Sequence, residues 1–185
     1  MLKKNLILFV ALCVSIASFA QGKFYTKTGK ISFLSKAPLE EIEGKNKTVT
    51  AVVDSKTGAI QFAIQMKGFE FEKQLMQQHF NENYVESDKY PKAEFKGTIS
   101  NNSTINYKKD GNYPAKVKGK LTIHGVTRDV ETTGSLKING GKIDANSTFN
   151  VLISDYNIKI PAVVKDKVSN TIKITVDCDL EPLKS

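Results

Sequence analysis

Few side chains in this sequence could carry out chemistry, and they lie far apart along the chain. His79 and His124 are the only histidines, and no third metal ligand stands near either one at helical or strand spacing, so we predict no metal site. His79 falls on the apolar side of a predicted helix, where a hydrogen-bonded core residue is the ordinary interpretation and contact with the polar end of a ligand is the alternative. No nucleophile, base and orienting acid come together, so we predict no catalytic residues and no cofactor.

Three further polar residues fall on inward-facing positions of predicted strands or at the end of one. Cys178 alternates in phase with apolar residues, so we expect a buried, unreactive thiol that packs as a small apolar side chain. Arg128 also alternates in phase with apolar neighbours, and an arginine in a core needs a partner because burying it alone is costly. We therefore predict an interior polar pair between Arg128 and Asp155, which either supports the fold or meets the head group of a ligand.

The first twenty residues have the organisation of a secretory signal peptide. Lys3 and Lys4 precede an apolar run over residues 6–19, which is too short to span a bilayer comfortably. The run ends in Ser18-Phe19-Ala20, with small residues at the two positions that a signal peptidase inspects. We expect residues 1–20 to be removed on export.

The remaining residues, 21–185, are expected to form one domain, periplasmic or secreted and not integral to a membrane. Cys13 would leave with the signal peptide, so Cys178 could form no intramolecular disulfide. The net charge of +8 comes mostly from scattered lysines, and Arg128 is the only arginine. Because nucleic-acid readers usually cluster arginines with stacking aromatics, we predict no nucleic-acid partner. A diffuse lysine excess favours solubility or a weak attraction to an anionic bacterial surface.

Apolar and polar residues alternate with a period of two over most of this domain, which is typical of strands that bury one face. Turns rich in Asp, Asn and Gly separate the runs at residues 54–58, 109–112 and 139–142. Roughly eight strands joined by short turns indicate an antiparallel meander, and closing it into a barrel removes exposed edges. We therefore predict an all-β fold, a closed antiparallel eight-stranded barrel.

One segment departs from this alternation. Over residues 71–84 the apolar side chains recur on one helical face, which predicts one short helix inserted between strands. Such a helix can cap an opening of the barrel, although filling core space is the more common role.

The inward strand positions and the helix face together form the predicted ligand-binding set. An eight-stranded barrel can be filled by such side chains or can leave room for one small ligand, and small inward residues, among them Gly97, Gly119 and Gly134, favour a cavity. The set comprises Phe33, Phe62, Ile64, Phe71, Leu75, Met76, His79, Phe80, Phe95, Leu121, Ile123, Phe149, Val151, Ile174 and Val176.

Three motifs, in this order, carry a resemblance to a known family. Lys89-Tyr90-Pro91-Lys92-Ala93-Glu94-Phe95 follows the helix, Leu121-Thr122-Ile123-His124-Gly125-Val126-Thr127-Arg128 comes next, and Asp155-Tyr156-Asn157-Ile158 closes the series. The chain thereby resembles the YceI-like family of exported bacterial proteins over most of its mature length. It departs from the family at residues 37–46, which are acidic and lack aromatics where the family carries an aromatic, Gly-rich stretch.

The resemblance implies a lipocalin-like barrel that encloses a tunnel for a polyisoprenoid or other long-chain lipid, in the periplasm and without catalytic activity. From the residues themselves two alternatives stay open. One is a solidly packed barrel that binds another envelope protein. The other, less favoured, is an enzyme that acts on a lipid-like substrate through His79 or the Arg128–Asp155 pair. The oligomeric state also stays open, a homodimer included.

Overall fold

Eight strands form one closed antiparallel barrel in which each strand pairs with its neighbours in sequence and β8 pairs with β1. The computed structural model describes residues 22–183, so the predicted signal peptide lies outside the described residues. The strands are β1 (Lys23–Lys36), β2 (Glu41–Asp54), β3 (Ala59–Gln65), β4 (Lys92–Ile99), β5 (Gly111–Ile123), β6 (Val126–Asn139), β7 (Lys142–Leu152) and β8 (Thr171–Pro182). The predicted fold class is confirmed, because the period-two alternation buries one face of every strand.

The antiparallel order gives the barrel two different ends. The lower end carries the short β2–β3 and β6–β7 turns and the β4–β5 loop, residues 100–110. The upper end carries the β1–β2 loop, the helical segment between β3 and β4, the β5–β6 turn at residues 124–125, and the long β7–β8 connection, residues 153–170.

Apolar side chains fill the lower end of the barrel where β6, β7 and β8 meet. Ile138, Ile143 and Leu180 are almost completely buried there. The β4–β5 loop is bonded to both lower turns: its Asn102 amide donates to the Ser55 carbonyl oxygen at 2.9 Å, and its Asp110 carboxylate accepts from the Gly140 N–H at 3.0 Å. The Tyr107 hydroxyl donates a hydrogen bond of 2.7 Å to the Asn102 side-chain oxygen. Burial raises the pKa of Tyr107 to about 12, so this hydroxyl keeps its proton. The loop therefore closes this end of the barrel.

The inserted helix lies at the upper end and is shorter than the sequence predicts. An α-helix, α1, runs from Gln74 to His79 and continues as a π-helical turn over Phe80–Tyr84. No helix among residues 22–183 is long and apolar enough to cross a membrane. The inserted segment instead packs on the barrel through aromatic rings.

Four of these rings gather beneath the helix. The ring of Phe80 lies 5.4 Å from that of Phe33 on β1 and 5.0 Å from that of Phe71, and Phe69 joins the group. On β2, a Cβ at Gly44 would come within 2.5 Å of the Phe33 ring. Glycine at this position therefore lets the aromatic cluster sit directly on the strand.

Candidate functional site

An apolar cavity of about 560 Å³ runs along the barrel from its upper end to Val53, Ile60 and Ile99, at the lower ends of β2, β3 and β4. All eight strands and α1 contribute to its wall. This volume lies within the roughly 300–1,000 Å³ of pockets that hold small ligands. The interpretation of the sequence as a solidly packed barrel is therefore wrong, and the most completely buried large side chains gather where the lower ends of β6, β7 and β8 meet.

The structure places every member of the predicted ligand-binding set on the wall of this one cavity. Alternation succeeds here because a closed barrel has a single interior, so each inward strand position faces the same space. That these side chains contact a ligand stays a prediction.

The sequence reasoning missed the part of the wall supplied by the β7–β8 connection. This connection has neither helical nor strand periodicity, yet it presents apolar residues to the cavity. They are Tyr156, Ile158, Val164 and Val168. The signal that could have found them is the recurrence of apolar residues within a long segment rich in lysine and other polar residues.

Two of the small inward residues do not enlarge the cavity. Gly97 and Gly119 face each other on β4 and β5, and the Phe95 ring lies over them, so that a Cβ on Gly119 would come within 2.6 Å of it. These glycines permit close packing and do not line the void, which corrects their predicted role. Gly134 does line the cavity as expected.

Two residues of the predicted helix face are more exposed than the sequence suggests. Leu75 and His79 both border the cavity, but both are exposed to solvent. The expectation of a buried core histidine at position 79 is wrong, because α1 is short and its face ends at the opening of the barrel. His79 is thus placed at the mouth of the cavity and not within its depth.

The predicted interior pair between Arg128 and Asp155 is also wrong. Arg128 stands opposite Leu121 in the β5–β6 register, as its phase predicts, but its side chain is exposed and its Nε donates to the backbone carbonyl of Asp155 at 2.9 Å. Within residues 22–183, β6 pairs with β7 only from Gly134 onward. The upper part of β6 therefore lacks that neighbour, and an inward-phased side chain there reaches water.

His124 forms a contact that we name the latch, made of His124, Glu86, Tyr90 and Tyr156. Its Nδ1 donates to the Tyr156 carbonyl oxygen at 3.1 Å, its Nε2 lies 2.6 Å from the Glu86 carboxylate, and the Tyr90 ring packs edge-on at 4.5 Å. The latch thus ties the end of the helical segment to the β5–β6 turn and the β7–β8 connection.

The backbone at the latch is held in a conformation that few residues adopt. Among residues 22–183 the non-glycine residues with positive φ are Glu86, His124 and Asn157, at 45°, 52° and 58°. Two of them belong to the latch and the third follows Tyr156. Such strain persists only where surrounding contacts fix it, and the residues of the family motifs at 90, 124 and 156 supply those contacts.

Cys178 is fully buried in β8, as the sequence predicts. The pKa of the thiol is raised to about 11, and burial is the largest cause of this shift. The thiolate is the nucleophilic form, and it is therefore nearly absent at neutral pH.

We expect the Cys178 thiol to resist labelling by iodoacetamide at pH 8 in the folded protein and to react readily in urea. Because the pKa of the thiol is higher in the folded state, the protonated thiol stabilises the fold at pH values below about 9, the pKa of the unfolded thiol. That contribution should decline by roughly 1 kcal/mol for each pH unit between about 9 and 11. Urea unfolding of wild type and Cys178→Ala across this pH range isolates it, and rapid labelling of the native protein would contradict the assignment.

The chemistry available to the cavity is burial of apolar surface. Its wall is almost entirely hydrocarbon, and its charged side chains, Glu40, Lys73 and Lys167, stand with His79 at the upper end. Among residues 22–183 no three His, Cys, Asp or Glu side chains are placed to share a metal ion. The arrangement suits an apolar molecule whose polar end stays at the mouth.

Comparison with known proteins agrees with this geometry. A family model described as the YceI-like domain matches residues 13–180. A search among curated proteins finds no match.

Several solved structures share the fold. A polyisoprenoid binding domain from Saccharophagus degradans, implicated in plant cell wall breakdown, aligns with a TM-score of 0.77 at 13% identity, covering 88% of this chain and 99% of that one. BcnA from Burkholderia cenocepacia aligns with a TM-score of 0.67 at 22% identity, covering 82% and 94%. A YceI protein from Campylobacter jejuni aligns with a TM-score of 0.56 at 18% identity, covering 74% and 82%. At these identities the likeness shows the barrel fold.

Proposed function

Because the chain belongs to the YceI-like family, we propose that it is a binding protein that holds a polyisoprenoid or other long-chain lipid inside its barrel. The observation that carries this proposal is the apolar cavity, open at one end and closed at the other, with a wall drawn from every strand. The shared fold with a protein described as a polyisoprenoid binding domain supports the choice of ligand class.

The energetics of burial are sufficient for such a ligand. Each methylene group moved from water into an apolar site contributes about 0.8 kcal/mol. About ten buried carbons would therefore contribute on the order of 8 kcal/mol before the cost of ordering the ligand. The polar end of the ligand would stay beside the charged side chains at the mouth.

Binding is favoured over catalysis by where the polar side chains lie. His79 and Arg128, the groups that the enzymatic alternative needs, are both exposed at the upper end. Neither stands in the depth of the cavity, where a lipid-like substrate would be enclosed. Transport or sequestration of the ligand, outside the cytoplasm, is the role that we propose.

Native mass spectrometry of the protein purified without detergent tests the ligand. We expect an adduct that extracts into organic solvent, or a 1:1 complex when a prenyl alcohol or a fatty acid is offered. An unliganded mass together with no binding of either class would overturn the proposal. The mass of the intact chain in the same spectra shows whether residues 1–20 have been removed. A chain that retains them would overturn the proposal that the protein is exported.

A further inference from the structure

The most exposed large apolar side chains lie at the upper end of the barrel. Val163 is 90% exposed, Leu39 72% and Leu75 62%. The other exposed large apolar residues among residues 22–183, Leu152 and Leu183, are exposed by 42% and 38%. We name Leu39, Leu75 and Val163 the mouth rim.

The mouth rim surrounds the opening of the cavity. Its members belong to three separate segments, the β1–β2 loop, α1 and the β7–β8 connection. Each segment also lines the cavity, through residues that include Glu40, His79 and Lys167.

Two contacts join these segments around the opening. The Leu39 backbone N–H donates to the Asp166 carbonyl oxygen at 3.0 Å. The Lys73 ammonium lies 3.7 Å from the Glu40 carboxylate. Three exposed apolar side chains are therefore fixed around one apolar opening.

Positive charge accompanies the rim on the side of the β7–β8 connection, whereas Glu40 and Glu41, the acidic side chains beside Leu39, are paired with Lys73 and Lys36. Residues 159–173 contain four exposed lysines and a single acidic residue, Asp166. The lysines are Lys159, Lys165, Lys167 and Lys173. Exposed apolar side chains flanked by lysines are suited to an anionic lipid surface, where the apolar groups enter the headgroup boundary and each ammonium meets lipid phosphate.

We propose that the mouth rim docks the barrel on the surface of an anionic lipid bilayer, with the open end of the barrel facing the membrane. The docked orientation points the cavity at the hydrocarbon region, so that an apolar ligand moves between bilayer and barrel without crossing water. The ligand part of this inference rests on the proposed function, whereas docking itself rests on the rim and its lysines. A bilayer fits this rim because its apolar side chains stand around an opening and not on one continuous face.

Flotation with lipid vesicles tests the docking. The purified protein is mixed with vesicles of phosphatidylglycerol and phosphatidylethanolamine, or of phosphatidylcholine alone. Mass spectrometry of the same sample establishes at which residue the chain begins. We expect flotation with the anionic vesicles that weakens with salt. The triple variant Leu39→Ser, Leu75→Ser, Val163→Ser should bind the anionic vesicles at least about tenfold more weakly than wild type. Leu183→Ser, which removes an exposed leucine from the lower end, should bind as wild type.

The outcomes separate docking from the other interpretations of the rim. Equal flotation of wild type and triple variant, or no flotation of wild type, would overturn the proposal. A wild-type dimer in sedimentation that the triple variant loses, without flotation of either, would assign the rim to a second copy of the chain. All of the substituted side chains are exposed, so thermal unfolding should match wild type.

A fluorescent fatty acid offered in solution distinguishes docking from ligand binding. We expect the double variant Leu39→Ser, Val163→Ser to float more weakly than wild type but to bind this probe equally well, because neither residue lines the cavity. A wild type that floats but binds no fatty acid and no prenyl alcohol would overturn the ligand function while docking stands. A Leu39→Ser, Val163→Ser variant that loses both flotation and probe binding would show that the rim acts on the cavity, and would overturn docking as its role.

Discussion

Replacing Val117 and Val176 with tryptophan should weaken ligand binding roughly 100-fold while the barrel stays folded. Both valines line the cavity and are only half-buried, because their side chains border empty space. Larger side chains can therefore grow into the void without displacing neighbours, unlike in a filled core. If the rings exclude about four carbons of a bound chain, the ligand loses about 3 kcal/mol, or roughly 100-fold in affinity.

The matched control places the same ring on the opposite face of β5. Lys116 precedes Val117, is exposed and points away from the cavity, so Lys116→Trp should bind ligand as wild type. Titration with the fluorescent fatty acid measures affinity, and thermal unfolding reports the fold of each variant. If the double variant does not fold, Val117→Trp alone provides a smaller change to the same cavity. Unaltered affinity in a folded double variant would show that ligand does not occupy this cavity.

His124→Ala should lower the free energy of unfolding by about 3 kcal/mol. The side chain of His124 is 11% exposed and bonds a carboxylate through one nitrogen and a backbone carbonyl through the other. Hydrogen bonds to charged groups contribute about 1.5–3 kcal/mol, and the Tyr156 carbonyl would lose its imidazole donor. Urea unfolding measures the loss, and hydrogen exchange should show faster opening of residues 74–84, because the latch no longer holds the segment that follows them.

Glu86→Gln separates the charge of the latch from its shape. A glutamine amide can donate to His124 Nε2 while Nδ1 keeps its bond to Tyr156, so we expect a loss of only about 1 kcal/mol. It also leaves the side-chain length unchanged at a position with positive φ. If His124→Ala unfolded at the same urea concentration as wild type, the latch would contribute nothing to stability.

The barrel and most of the cavity wall could be predicted because both follow from a local rule. Alternation assigns a face to residues such as Leu121, Phe149 and Ile174 without knowledge of their partners, and closure of the sheet turns that face into one interior. The same rule cannot say where pairing stops. Arg128 has the inward phase but lies beyond the last β6–β7 pair, so the rule placed it inside.

The remaining features depend on contacts between segments that are distant in sequence. The latch joins Glu86, His124 and Tyr156, and no periodicity relates these positions. Gly119 has the pattern of an open interior, but the Phe95 ring occupies the space above it. Side-chain packing across strands, which decides both cases, is not encoded in the spacing of one strand.

The loop that closes the lower end makes the cavity a blind tube. Because hydrogen bonds join this loop to both neighbouring turns across the base, a linear ligand would enter and leave only through the upper opening. The depth of the tube would then set the length of ligand chain that the barrel can enclose. Each added carbon strengthens binding until the chain reaches the base, and any further length must protrude at the mouth.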